Sequence, residues 1–265
     1  MTSLARMLAI LDLFDEGASV WTAEAIAGRL GYSLPTGYRY VRELSEAGLL
    51  RRDAGGTYVL GPRVIELDYR IRVGDPMIMA GQRVMRALAD DTGCDVVLGT
   101  IYGERIVTIH QEHGGEGIAA TYGRGRRMPL FRGMMSKVIL AELPRPRLRR
   151  LHEHHREEAQ GGTLPPDWEG LVLALKAVRK AGYSISQGEL DPGLVGIAVP
   201  LVDKAHRLIA ALGFAITGRR FATSDNARLV ALLREAADRI ARSLPATIAE
   251  QRPASRPRVR RAAHA

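Results

Sequence analysis

Three short helical segments followed at once by a β-hairpin are the pattern that most constrains the fold of this chain. Apolar residues recur at intervals of three and four over residues 3–15, which predicts an amphipathic helix. A second short helix is predicted to begin after Thr22 and to stop at Gly31, and a third to run from Ser33 until Gly48 stops it. Two short helices joined by a three-residue turn predict a helix-turn-helix.

A hairpin and a further helix are predicted directly after the third helix. Residues 49–52 and 57–60 have the composition of strands and flank the glycine-rich turn 53–56, which predicts a β-hairpin. A hairpin that follows the second helix of a helix-turn-helix is a wing. Pro62 suits the first turn of another helix, and Gly74 starts a sequence that breaks it. The segment between them is therefore predicted to be a linker helix.

The rest of the chain alternates segments of helical and strand length. Helices are predicted at residues 77–92, 134–143 and 168–180, with a final helix around residues 229–240. Strands are predicted at residues 95–102, 105–111, 119–122, 183–187, 196–202 and 208–216. Strands paired through short turns favour a mainly antiparallel sheet flanked by helices, which makes the fold class α+β. The predicted domains are a winged helix-turn-helix at 1–60, a linker helix at 61–75, a ligand-sensing domain at 76–250 and a disordered basic tail at 251–265.

The positive charge of the chain is distributed unevenly. The formal net charge is +9, yet residues 1–60 hold six arginines and seven acidic residues, for a net charge of −1. Residues 251–265 hold five arginines and no acidic residue. The total charge therefore does not locate a nucleic-acid site. A local cluster does so better, and it consists of Arg39, Arg42, Arg51 and Arg52.

The cysteine content and the hydropathy exclude several classes of protein. Cys94 is the only cysteine, so no disulfide framework can form within the chain. No run of about 18 apolar residues is present, and the first residues do not resemble a secretory signal. We therefore expect a cytoplasmic protein without a membrane partner.

The third helix is the strongest functional signal in the sequence. An α-helix fits the major groove of double-stranded DNA, where exposed side chains meet base edges, and arginine is the usual partner of guanine. The alternative is an ordinary solvated helix whose arginines pair with Glu43 and Glu46. The wing that follows favours DNA binding. The predicted DNA contacts are Arg6, Ser33, Thr36, Tyr38, Arg39, Tyr40, Arg42, Arg51 and Arg52.

Two other motifs have a chemical interpretation that their surroundings disfavour. The sequence His152-Glu153-His154-His155 places histidines on one helical face, but neighbouring arginines oppose a metal cation. The glycine- and arginine-rich loop 123–127 lacks the Lys-Ser/Thr ending of a phosphate-binding P-loop. No set of nucleophile, base and orienting group is recognisable. We therefore predict no catalytic residue, no metal and no cofactor.

Several segments together resemble the IclR family of transcriptional regulators. The resemblance begins at residues 3–11 and continues through residues 31–44, 48–50 and 56–61. In the second half it is carried by residues 125–130, Lys137, Gly182-Tyr183, Glu189, residues 196–200 and residues 210–214. Each motif alone is loose, but their order and spacing over residues 3–245 are specific.

This resemblance implies a fold, partners and ligand contacts. It implies a winged helix-turn-helix joined to a GAF-like sensor domain, working as a homodimer or a dimer of dimers. It implies effector contacts at Met134, Met135, Ser186, Gly196, Gly213 and Ala215. Small residues are common in relatives where Met134 and Met135 stand, and serine occurs in some where Gly213 and Ala215 stand. Arg132 stands where relatives often have a small uncharged residue, and it would neutralise an anion.

The sequence thus predicts a regulator of catabolic genes that binds a pseudo-palindromic operator and a small organic acid. Methionine suits irregular or aromatic ligand surfaces, and a wall without hydroxyls suits small polar acids poorly. We therefore expect an acid with a sizeable apolar or aromatic body rather than a two- or three-carbon oxo acid. Two alternatives remain: an architectural DNA-binding protein that is blind to sequence, and an enzyme with an appended helix-turn-helix.

Overall fold

The computed structural model divides the chain into two compact units. It describes residues 2–15, 17–115, 118, 123–203 and 207–244. The first unit is Met1–Asp75 and the second is Pro76–Ala265. The predicted basic tail at 251–265 lies outside the described residues.

The first unit is a helix-turn-helix with a β-hairpin and a terminal helix. Its elements are α1 (Ser3–Leu8), a 3-10 turn (Ala9–Leu13), α2 (Ala23–Leu30), α3 (Leu34–Glu46), β1 (Leu50–Arg52), a 3-10 turn (Ala54–Gly56), β2 (Tyr58–Leu60) and α4 (Pro62–Gly74). The single helix predicted at residues 3–15 is therefore a short α-helix followed by a tighter turn. Strand β1 pairs antiparallel with β2, with Leu50 opposite Leu60.

Local sequence signals set the ends of α2. The hydroxyl of Thr22 accepts a hydrogen bond from the backbone N–H of Ala25 at 3.2 Å, which satisfies one of the unpaired donors of the first turn. Gly31 ends the helix in the left-handed conformation, at φ +67°, which glycine adopts without steric cost. These two residues fix the turn that leads into α3.

The second unit is built on one six-stranded sheet. Its helices are α5 (Pro76–Thr92), α6 (Met134–Glu142), α7 (Arg145–His154), α8 (Arg156–Gln160), α9 (Trp168–Ala181), α10 (Gly218–Thr223) and α11 (Asn226–Ser243). Its strands are β3 (Asp95–Tyr102), β4 (Arg105–Glu112), β5 (Arg127–Met128), β6 (Ser184–Gln187), β7 (Leu194–Val202) and β8 (Leu208–Thr217). The strand order is β5-β4-β3-β8-β7-β6, and every neighbouring pair is antiparallel. This confirms the α+β class and the antiparallel sheet.

The observed elements differ from the predicted ones at one strand and two short helices. The strand predicted at residues 119–122 lies outside the described residues, while the short strand that pairs with β4 on the side away from β3 is Arg127–Met128. The helices α8 and α10 have five and six residues, too short to show an apolar period, so the sequence does not predict them. Among the described residues, no helix is long and apolar enough to cross a membrane.

The two faces of the sheet carry side chains of different size. Successive residues of a strand point to opposite faces, and on β7 and β8 the bulky residues Ile197, Val199, Leu212 and Phe214 share one core with α5 and α11. The opposite face packs against α6 and presents small residues on the same two strands. These residues are Gly196, Ala198, Ala211, Gly213 and Ala215. This face therefore leaves room between the sheet and α6.

Candidate functional site

Helix α3 is held close to α2 by a glycine. Gly37 is buried, and a Cβ at this position would lie 2.9 Å from the Cβ of Ala27. Because only hydrogen stands there, the two helices approach closely. The opposite surface of α3 is left exposed at Tyr38, Arg39 and Arg42.

The exposed side of α3 carries the predicted polar contacts. Ser33, directly before the helix, donates a hydrogen bond to the hydroxyl of Thr36 at 2.9 Å. Arg42 lies 3.5 Å from Glu43 and 3.6 Å from Glu46, and its side chain is 67% exposed. Ion pairs this exposed contribute little, so they leave the guanidinium available for exchange with another anion. The alternative that the arginines of this helix pair with Glu43 and Glu46 thus holds for Arg42, but through weak, exposed ion pairs.

Tyr40 is buried, which argues against the prediction that it contacts DNA. It is only 5% exposed and belongs to the core of the first unit. Its hydroxyl lies 2.8 Å from the hydroxyl of Ser3, and its ring packs edge-on against Tyr32 at 5.7 Å. Its side chain is therefore covered by Ser3 of α1 and by Tyr32 of the turn before α3.

Arg6 and the wing complete the predicted surface. The guanidinium of Arg6 lies over the ring of Tyr32 at 4.4 Å, and the hydroxyl of Tyr32 donates to the backbone carbonyl of Arg6 at 2.8 Å. Arg51 and Arg52 are exposed on β1, and Arg51 lies 3.7 Å from Asp53. These arginines therefore stand on short, fixed elements rather than on long loops.

Tyr38 has a local partner that the sequence did not indicate. Its hydroxyl donates to the carboxylate of Glu24 on α2. That hydrogen bond lowers the pKa of Glu24 and raises the pKa of Tyr38. The contact orients the exposed ring of Tyr38 toward α2.

A cavity of about 60 Å³ lies on the small-residue face of the sheet in the second unit. It is lined by Val97, Thr108, Met128, Met134, Ser186, Glu189, Leu190, Asp191, Leu194, Val195, Gly196 and Ala215. Four predicted effector residues are among these. Ala215, Gly196 and Ser186 are direct neighbours across β8, β7 and β6, and Met134 begins α6 above them.

Three predicted effector residues do not line this cavity. Met135 is fully buried and packs against Gly99 of β3, where a Cβ would meet its Cε at 3.5 Å, so it is a core residue. Gly213 lies beside the tip of Met134, outside the lining. Arg132 is half-buried and also outside it. Among the described lining residues there is no arginine or lysine, which argues against Arg132 as the anion partner.

Glu189 lines the cavity, and its role is not predicted by the sequence. Its carboxylate accepts hydrogen bonds from the backbone N–H of Gly133 at 2.9 Å, the hydroxyl of Thr163 at 2.5 Å and the ammonium of Lys137. Burial raises the pKa of Glu189, but the hydrogen bonds from these three donors outweigh burial and lower it. Lys137 therefore balances the negative charge that Glu189 brings to the cavity lining. The only sequence signal was the presence of Lys137 and Glu189 in the family-like motifs.

The histidine motif is used in protein contacts. Both His154 and His155 approach the carboxylate of Glu104, at 3.0 and 3.2 Å, and Nε2 of His152 lies 2.7 Å from the carbonyl of Pro166. Burial raises the pKa of Glu104, and the two histidines lower it by more. Within the described ranges, no group of three or more such side chains has an arrangement that could hold a metal ion.

Two family models match this chain. The model of the IclR helix-turn-helix domain matches residues 3–54. The model of the bacterial transcriptional regulator IclR C-terminal domain matches residues 75–242, more than half of the chain. The chain belongs to the IclR family. It is a transcriptional regulator with a DNA-binding helix-turn-helix, and the families and relatives that it matches are regulators rather than enzymes.

Relatives and solved structures agree with the IclR assignment. The chain is 28% identical over 244 residues to the HTH-type transcriptional regulator XynR of Escherichia coli, which covers 91% of this chain and 96% of the relative. The fold is similar to that of an IclR transcriptional regulator from Alicyclobacillus acidocaldarius, with a TM-score of 0.76, 24% identity and coverage of 91% and 98%. An IclR homologue from Microbacterium hydrocarbonoxydans, solved in complex with 4-hydroxybenzoate, has a TM-score of 0.68, 24% identity and coverage of 92% and 99%.

Proposed function

We propose that this IclR-family regulator reads a specific operator with α3 and its wing, and that a small aromatic acid bound in the cavity of the second unit changes that binding. The DNA-binding part of this proposal is supported by the division of α3 into a buried face and an exposed face. Gly37, Val41 and Leu44 are buried against the rest of the unit, while Arg39 and Arg42 stay exposed. A helix of this kind supplies guanine contacts in the major groove through its arginines.

The operator is proposed to be a pseudo-palindrome read by a homodimer or a dimer of dimers. Two recognition helices related by two-fold symmetry read half-sites about one helical turn apart, roughly 34–36 Å, or at a multiple of that distance. The DNA contacts we propose within the described residues are Arg6, Ser33, Thr36, Tyr38, Arg39, Arg42, Arg51 and Arg52. Tyr40 is not among them because it is buried.

The lining of the cavity supports a ligand with an apolar body. Val97, Met128, Met134 and Leu190 supply apolar surface, and Thr108 and Ser186 supply hydroxyl groups. Since no described lining residue is cationic, affinity has to come mainly from burial of the apolar body, with hydroxyls serving the acid group. The relative that holds 4-hydroxybenzoate supports this class of compound. We propose that the regulated genes serve the breakdown of the acid that is sensed.

A ligand shifts DNA binding only if it binds two arrangements of the protein with different affinity. The test is operator binding by fluorescence anisotropy at fixed salt, with and without 4-hydroxybenzoate, benzoate, pyruvate and glyoxylate. We expect an aromatic acid to change the operator Kd by about 5-fold or more, the usual lower end of allosteric coupling. The small oxo acids are expected to have no effect. Equal affinity for operator and random DNA would contradict the specific-reader part and support a sequence-blind architectural protein.

A thermal-shift series with the same acids tests the ligand part separately. A ligand that binds the folded chain but not the unfolded chain raises the melting temperature, and the stabilisation grows with the logarithm of the ratio of ligand concentration to Kd. Stabilisation by pyruvate or glyoxylate alone would overturn the aromatic-acid proposal and leave the DNA proposal standing.

A further inference from the structure

Part of the ligand cavity is filled by the side chain of Met134. A Cβ placed on Gly196 would lie 2.5 Å from the sulfur of Met134 and 2.9 Å from its Cγ. A Cβ placed on Gly213 would lie 3.2 Å from the Cε of the same methionine. The thioether therefore runs across β7 and β8 in the space that side chains at these two glycines would take. Met134 is 6% exposed.

The space left beside Met134 is too small for a ring. The cavity measures about 60 Å³. A cavity that accepts benzene is larger, about 150 Å³. A six-membered ring is therefore enclosed fully only if a lining side chain moves away.

Met134 is well suited to be the side chain that moves. It has three rotatable side-chain bonds and a polarizable thioether, so it repacks with little strain. It is the first residue of α6 and follows Gly133, whose φ of +90° leads the chain into the helix. Its neighbour Met135 is fully buried against β3 and anchors the helix. The change is therefore confined to one side chain.

We infer that Met134 is a plug that the ligand displaces, and that it sets the lower size limit of the ligand. The thioether holds the space above Gly196 and Gly213 until the apolar body of a ligand replaces its contacts there. A two- or three-carbon acid buries too little apolar surface to replace them. This inference rests on the proposed ligand cavity and adds to it the residue that selects for size.

The experiment uses the full-length protein with its methionine ε-methyl groups labelled with carbon-13, and benzoate as the probe. The chain has eight methionines, and the Met134 signal is identified by its absence from the Met134→Ala protein. We expect benzoate to move the Met134 signal more than the signal of Met79, which is 60% exposed on α5. We also expect Met134→Ala to bind benzoate at least 5-fold more tightly than the parent, because no plug has to be displaced. Met134→Leu, which keeps a side chain of similar volume, should stay within about 3-fold.

Gly196→Val separates failure of the plug from failure of the cavity. A side chain at this position fills the same space permanently, so benzoate binding should be lost if the cavity is the site. Benzoate binding that is lost in Gly196→Val, with an unmoved Met134 signal and unchanged affinity in Met134→Ala, would overturn the plug and keep the cavity. Binding that survives Gly196→Val, or no binding to either the parent or Met134→Ala, would overturn both. If Met134→Ala folds poorly, the Met134 signal is identified by its absence from Met134→Leu, and its response to benzoate in the parent still decides the question.

Discussion

Arg39 is the residue of α3 whose guanidinium is least engaged by the protein itself. Within the described ranges it forms no ion pair; its guanidinium lies 5.2 Å from the centre of the Tyr40 ring and hydrogen-bonds to the side chain of Tyr40. Arg42, by comparison, has two exposed carboxylate neighbours. Arg39 is therefore the residue in which base recognition is most cleanly tested.

Replacing Arg39 with alanine should weaken operator binding by about 1–3 kcal/mol, since one bidentate contact to guanine has that value. This corresponds to roughly 5- to 150-fold in Kd, measured by fluorescence anisotropy at constant salt. Arg239→Ala, an exposed arginine on α11, is the matched control and should leave Kd unchanged. Parent-like affinity in a folded Arg39→Ala protein would exclude this residue as a base reader.

Glu189 should stabilise the fold through its ion pair with Lys137, in a way that depends on pH. Both side chains are nearly buried, so Glu189→Gln leaves the ammonium without its counter-charge, at a cost of about 1–3 kcal/mol at pH 7. The pKa of Glu189 is lowered in the folded state below its ordinary value of 4.5. The stabilisation is therefore complete above pH 4.5 and is lost as the pH falls through the lower, folded-state pKa.

Urea unfolding at several pH values measures this difference. The gap in free energy of unfolding between parent and Glu189→Gln should be full at pH 7 and should shrink below pH 4.5. Glu153→Gln, which breaks an exposed pair with Arg149, is the control and should change stability by less than about 1 kcal/mol. A gap of the same size at every pH would show that the charge of Glu189 is not what stabilises the protein.

At the scale of elements, the contact between α2 and α3 depends on a missing side chain. Gly37→Ala would place a Cβ 2.9 Å from that of Ala27, which cannot move without moving α2. Overpacking of this kind costs about 1–3 kcal/mol, against a gain in helix propensity of about 1 kcal/mol. We expect a net loss of about 1 kcal/mol in urea unfolding, together with weaker operator binding because α3 is displaced.

Gly28→Ala is the matched control for Gly37→Ala. Gly28 is also inside a helix of the first unit, but a Cβ there would meet no atom within 4 Å. This variant should gain about 0.4–1 kcal/mol of stability. If both glycine variants were stabilised alike, the close approach of α2 and α3 would have no energetic role.

The elements also show where sequence reasoning succeeds. Long periodic segments such as α5 and β8 are predicted within one residue at each end, because many apolar positions define each of them. Strand β5 has two residues and α8 has five, so neither contains enough positions to show a period. Short elements of this kind are specified by tertiary contacts.

Only part of the candidate site could be predicted, because tertiary contacts also decide which of two adjacent residues reaches it. Met134 and Met135 are adjacent, and residues one apart on a helix point in directions about 100° apart. One lines the cavity and the other packs on β3. Tyr40 differs in the same way from Arg39, because neighbours from other segments cover only one of them. The sequence places such residues on an element, whereas their surroundings depend on how the elements pack.

At the scale of the whole molecule, the net charge of +9 is carried largely outside the helix-turn-helix. Residues 1–60 have a net charge of −1, and residues 251–265 have five arginines without an acid. We therefore predict that specific reading and general attraction to DNA depend on different parts of the chain. Arginines without nearby carboxylates add phosphate contacts that carry no base information.

Truncation after residue 250 should flatten the salt dependence of DNA binding and keep the preference for the operator. Each neutralised phosphate contributes about −0.9 to the slope of log K against log salt concentration, so five arginines account for up to about 4.5. The slope is measured by anisotropy between about 50 and 200 mM salt on operator and random DNA. A full-length variant with the five arginines replaced by lysine keeps the charge and should keep the parent slope. If truncation leaves the slope unchanged, the attraction to phosphate comes from residues 1–250 alone.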